Sequence, residues 1–192
     1  MPTRRTKPSP ARSTADRSRA RRPWVTWVAG GLGVVALGLF VWFIAGDVAS
    51  NPQDDVTAPD GVQTFDVASA SHTTDTVQYP QDPPVGGPHD PTPIACGVYD
   101  APIRNENATH ALEHGAVWIT YRPDLSASDV SDLNGFGRQS EIIVSPYPNL
   151  DSAVVISSWG TQLRLAAVDD AVIDQFIRAF KNQTAPEAAA TC

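Results

Sequence analysis

Three side chains able to bind a metal or move a proton, His110, Glu113 and His114, stand within five residues of one another in "NATHALEHGAVWITY", residues 107–121. On a helix, positions i and i+4 share a face with Cβ atoms about 5–6 Å apart. His110 and His114 can therefore present two imidazoles to one ion. Neutral imidazole suits zinc and copper better than magnesium or calcium, and an open site needs about three protein ligands. His89, in the proline- and glycine-rich "YPQDPPVGGPHDPTP", is the natural third ligand, and His72 is a fourth. Glu113 lies beside the histidine face, placed to orient an imidazole from behind. The bland alternative is a pair of histidines that hydrogen-bond the loop covering them. Clustering weighs against it: all four histidines fall between residues 72 and 114, and the 78 residues that follow contain none. With Met1 as the sole methionine, a methionine-rich copper(I) carrier is excluded, and histidine donors favour copper(II) or zinc.

Other chemistries have less behind them. "HALEH" fits H-x-x-E-H, in which two histidines hold zinc and the glutamate acts as general base. Gly115, however, stops the helix just after the second histidine, whereas that peptidase class needs a longer helix and a further acid. A metal-dependent hydrolase therefore ranks third, behind a metal-binding protein and a non-catalytic accessory subunit of a membrane complex with structural histidines. Ser157 and Ser158 have no histidine nearby in sequence to activate them. No glycine-rich stretch has the spacing of a nucleotide-binding loop.

The elements that must position these residues are legible in outline. Asn105 or Asn107 can cap a helix from about Glu106 to His114, with Gly115 at its C-terminal stop. "AVWITY", "EIIVSPY", "AVVISSW" and "QLRLAAV" have the β-branched and aromatic composition of strands. "SASDVSDLNGFGRQ" opens with a capping serine and reads as a helix weakened by Gly135 and Gly137. Residues 169–183 carry Val172, Ile173, Phe176, Ile177 and Phe180 at helical spacing, with Lys181 in the last turn. This order implies an α/β or α+β fold with a single mixed sheet and packed helices, preceded by a transmembrane helix and a long Pro/Gly-rich loop.

Charge is distributed unevenly. Residues 1–23 hold eight Lys or Arg against the single acid Asp16, a net of +7, so the chain's −7 leaves −14 on the remainder. The next segment, "WVTWVAGGLGVVALGLFVWFIAG" (24–46), has no charge and is long enough to span the roughly 30 Å hydrocarbon core. Trp24, Trp27 and Trp42 near its ends suit the bilayer interface. Residues 24–46 are thus expected to cross the lipid bilayer once as a signal anchor in the cell membrane. The disordered basic tail 1–23 stays cytoplasmic and the C-terminal part is extracytoplasmic. Positive-inside charge accounts for the tail, so no nucleic-acid partner is implied, whereas other membrane proteins are. Residues 47–70, rich in Asp, Ala and Pro, read as a linker, and residues 71–192 as the globular domain. Cys96 and Cys192 are expected to form a disulfide, which an oxidising compartment permits.

The series "GGPH", "GVYD" and "HALEHGAVWITY", with His72 upstream and "AVVISSWG" downstream, resembles the bacterial domain-of-unknown-function family 3105 over most of residues 71–192. The resemblance implies one N-terminal anchor, an exported domain, and motif positions at His72, His89, His110, Glu113 and His114. It implies no chemistry, the family having no established activity. The family pattern has Ser-Gly before the loop histidine where this chain has Gly86-Gly87, which removes a hydroxyl but no ligand.

Overall fold

The computed structural model describes residues 56–187. The basic tail and the expected membrane span lie outside the described residues, among which no helix is long and apolar enough to cross a membrane. The elements run β1 (Gln63–Thr64), β2 (Gly97–Val98), α1 (Asn105–Glu113), β3 (Val117–Tyr121), α2 (Ala127–Phe136), β4 (Ile142–Pro146), β5 (Val154–Ser158), β6 (Thr161–Leu165) and α3 (Asp170–Phe180). Six strands form one mixed sheet in the order β1-β6-β5-β3-β4-β2. β2 and β3 run parallel to β4, and the remaining pairs are antiparallel. The fold is α+β.

Alternation along the strands divides the core in two. Val117, Ile119, Ile142, Val144, Val154, Ile156 and Leu163 face α2 and α3, where Leu133, Ile173, Phe176 and Ile177 complete a wholly apolar cluster. Trp118 and Ile143 point the other way, against Ala108, Ala111 and Leu112 of α1 and Trp159 of the β5–β6 turn. The central strands are buried on both faces, which is why they read as continuous apolar runs.

Ser126 caps its helix as the sequence implies, accepting from the Asp129 N–H, and Asp169, expected inside the last helix, is instead its cap and accepts from the Val172 N–H. The site helix differs. Its N-cap is Arg104, with no side-chain cap, because both asparagines are engaged elsewhere. Asn105 donates to the Tyr147 hydroxyl and Asn107 to the Thr92 carbonyl. The last helix stops at Phe180 rather than 183. Asn182 takes a left-handed conformation (φ 61°) and its N–H donates to the Gly115 carbonyl. Gly115, at φ 103°, has no room for a side chain against Asn182.

The segment expected to be a linker is partly built into the domain. Gln63 and Thr64 pair with Gln162 and Thr161 as an edge strand, and Val62 and Val67 pack on the two core clusters.

Candidate metal centre

The Pro/Gly-rich loop is held to α1 by main-chain bonds. The Asp90 N–H donates to the Glu106 carbonyl and the Ile94 N–H to the Asn107 carbonyl. Arg104 bridges the carboxylates of Asp90 (2.6 Å) and Glu106 (3.0 Å). Within the loop, His72 and His89 form a parallel bridge: the Thr73 N–H donates to the His89 carbonyl and the His89 N–H to the Ser71 carbonyl. That bridge brings His72 beside His89, 17 positions later in the chain.

His72, His89, His110 and Glu113 converge, each offering a donor atom within 4.8 Å of the others. The three ring centroids stand 4.8–5.0 Å apart. Glu113 Oε2 is the common neighbour, 3.0 Å from His89 Nε2, 3.9 Å from His72 Nε2 and 4.0 Å from His110 Nε2. His89 and Glu113 are buried, whereas the His72 side chain is 48% exposed and forms the solvent side. Trp159 meets His89 edge-to-face at 5.9 Å and walls off the interior.

Hydrogen bonding determines which nitrogens are available. His89 Nδ1 lies 2.8 Å from the Gly87 carbonyl, and His110 Nδ1 lies 2.6 Å from the Asp90 carbonyl. A carbonyl only accepts, so each Nδ1 must carry the proton, and a neutral ring then has its lone pair on Nε2. Backbone carbonyls thus do the orienting expected of Glu113, while Glu113 supplies the oxygen that the rings face. His89 Nε2 and Glu113 Oε2, 3.0 Å apart, are both buried without a hydrogen-bond partner. Held that close, the two atoms need a positive charge between them, supplied either by a proton on Nε2 in an imidazolium–carboxylate pair or by a metal ion. Zinc–ligand bonds of about 2.0–2.2 Å put neighbouring donor atoms about 3–3.5 Å apart, so the cluster needs little contraction to close on an ion. Burial pushes the His110 pKa down; the Asp90 carbonyl opposes that, and the nearby His114, His89 and His72 reinforce it. The outcome is a neutral, ligand-competent ring.

His114 stands apart from this group. Its Nε2 lies 3.0 Å from His110 Nε2, and it clusters instead with Glu113 and Glu187. Glu187 has no signal in sequence: it is remote from the motif and arrives through the tail, where its N–H donates to the Glu113 carbonyl. The Gly-Gly-x-His spacing was the readable part of the loop. At Gly86 (φ 153°) a Cβ would stand 2.8–2.9 Å from the Val67 methyls and 3.3 Å from Trp159. A serine at this position has no space in this chain. Cys192 lies outside the described residues.

A cavity of about 610 Å³ is lined by Tyr79, Asp82, Asn105, Glu106 and Tyr147 among others and by none of the four histidines. Ser157, considered above as a nucleophile, is buried and accepts from Gln162.

The family model described as "Protein of unknown function (DUF3105)" matches residues 71–192. No curated protein and no solved structure matches the chain.

Proposed function

The chain belongs to the DUF3105 family, and from the geometry of its histidines we propose that it is a membrane-anchored, extracytoplasmic transition-metal-binding protein. Residues 24–46 cross the bilayer, the basic tail stays in the cytoplasm, and the domain presents His72, His89, His110 and Glu113 to one ion. The observation that carries this reading is the convergence of three imidazoles on one buried carboxylate, with His89 Nε2 and Glu113 Oε2 3.0 Å apart. Three imidazoles and a carboxylate suit copper(II) or zinc. A disulfide between Cys96 and Cys192 belongs to the same reading, and it is supported by the lack of a free cysteine among the described residues.

The test is elemental analysis of the full chain, purified without a histidine tag. One or more equivalents of copper or zinc are expected, with affinity reduced in His72→Ala. Because the His72 side chain is half-exposed, that variant keeps the fold. A folded chain that neither retains nor takes up either metal overturns the reading.

A second reading draws on the same carbonyl contacts. His89 and His110 each tie a ring to the loop, as structural histidines in an accessory subunit of a membrane complex would. Co-purification with a larger membrane assembly in metal-free form supports that alternative.

A further inference from the structure

A single ion leaves part of the site unused. His114 and Glu187 form a second set with Glu113, all three donor atoms within 4.8 Å of one another. We propose that Glu113 is a bridging carboxylate and that Glu113, His114 and Glu187 hold a second divalent ion beside the first. This proposal rests on the metal reading above and extends it to a two-ion centre.

Three observations support it. The Glu113 carboxylate is 2% exposed and its Oε2 has no hydrogen-bond partner. A buried, ionised carboxylate demands compensating positive charge, and its two oxygens can serve two ions at once. Next, His114 Nε2 lies 3.7 Å from Glu187 Oε2 and shares a 3.0 Å hydrogen bond with His110 Nε2, a contact that two ions would replace. The two rings are T-shaped, with centroids 4.5 Å apart. Adjacent rings on one helix turn thus reach both positions, His110 toward the first and His114 toward the second. Finally, Glu187 is brought there by main-chain contacts. Its N–H donates to the Glu113 carbonyl at the end of α1, and Asn182 donates to the Gly115 carbonyl just beyond. Thr184 meets Ser158 through a hydroxyl–hydroxyl contact on the same path.

The two positions differ in access. The first is backed by His89, Glu113 and Trp159 and meets solvent at His72, whereas the Glu187 side chain at the second is 61% exposed. The second ion therefore has three protein donors and a solvent-facing side for water or a small anionic ligand. Paired ions of this kind sit about 3.5–4 Å apart. One imidazole and two carboxylates make a harder donor set than three imidazoles and one carboxylate. The second position accordingly favours zinc over copper(I) and binds more weakly than the first.

Zinc content distinguishes the possibilities. The full chain, stripped with chelator and dialysed against Zn(II) alone, is expected to hold two equivalents. Glu187→Gln, a change at an exposed residue, is expected to hold one, as is His114→Ala. One equivalent in the wild type, unchanged in Glu187→Gln, overturns the second position and leaves the first standing. Two equivalents that persist in both variants also overturn this assignment. No bound zinc or copper in a folded wild-type chain overturns both proposals together. As an independent readout, Cu(II) loaded to saturation is expected to show spin–spin broadening from paired ions, which Glu187→Gln abolishes. An unbroadened spectrum at two equivalents places the second ion elsewhere and counts against the bridge.

Discussion

The two faces of the sheet solve different problems. On the α2–α3 face the buried positions are mostly apolar and the cluster closes on Phe176, Ile173 and Leu133, with Ser158 and Thr161 as polar exceptions at the β5–β6 end. On the α1 face, polar groups are buried deliberately and nearly all are paired. Trp118 Nε1 donates to Ser145, Thr120 to the Val155 carbonyl, and Gln162 to Ser157 and to the Pro83 carbonyl. On that same side, at the far end of α1, lie His89 Nε2 and Glu113 Oε2, which have no partner. One face contributes stability through burial, roughly 25 cal/mol per Å². The other gives up part of that contribution to hold a polar framework around the unsatisfied atoms of His89, Glu113 and His114. The lesson is that an orphaned polar atom is most informative where its surroundings are otherwise fully bonded.

This contrast can be broken from either side. Phe176→Ala on the apolar face is expected to have the largest effect, a loss of about 3–5 kcal/mol in urea unfolding. The metal content of the molecules that remain folded should be unaffected. A loss of metal in those folded molecules would show that the two faces are not energetically separate. Next in size is the metal itself. An ion that binds only the folded chain stabilises it by about 2.7 kcal/mol at one hundred times its dissociation constant. Zinc should therefore raise the unfolding midpoint, and Glu113→Gln should abolish most of that rise. A midpoint that does not respond to zinc argues for purely structural histidines.

Acid should act on the polar face alone. Burial lowers the His110 pKa in the folded chain, so the unfolded chain binds that proton more readily. The stability contribution is then fully present above the ordinary imidazole pKa of about 6.5 and is lost as pH falls through the lower folded value. Chelated protein should show a declining urea midpoint between pH 7 and 5, and a flat profile would remove His110 from the account. The smallest effect is expected at the Ser126 cap on the apolar side, where Ser126→Ala should cost about 1 kcal/mol with zinc binding unchanged.

Sequence patterning was most reliable where local chemistry dominates. The cap at Ser126, the helical spacing of Ile173, Phe176 and Ile177, and the four longer strands all follow from neighbouring residues. It was least reliable at β1 and β2, two residues each, because such short strands carry no periodicity and exist only through their partners. The helix at the site was readable, but its capping was not, since Asn105 and Asn107 are drawn to Tyr147 and the loop by tertiary contacts.

The histidines divide in the same way. Residue type and clustering alone pointed to His72, His89, His110, Glu113 and His114 as a group able to bind a transition metal. The family resemblance rested on those same residues, and the match over 71–192 confirms it. Only the tertiary structure decided which atoms meet. The Gly87 and Asp90 carbonyls occupy two Nδ1 positions and turn the Nε2 lone pairs of His89 and His110 toward Glu113. The tail brings in Glu187 from beyond any local window. Helical spacing places side chains on a face, but the direction of a lone pair depends on what bonds the other side of the ring, and here those partners come from the loop.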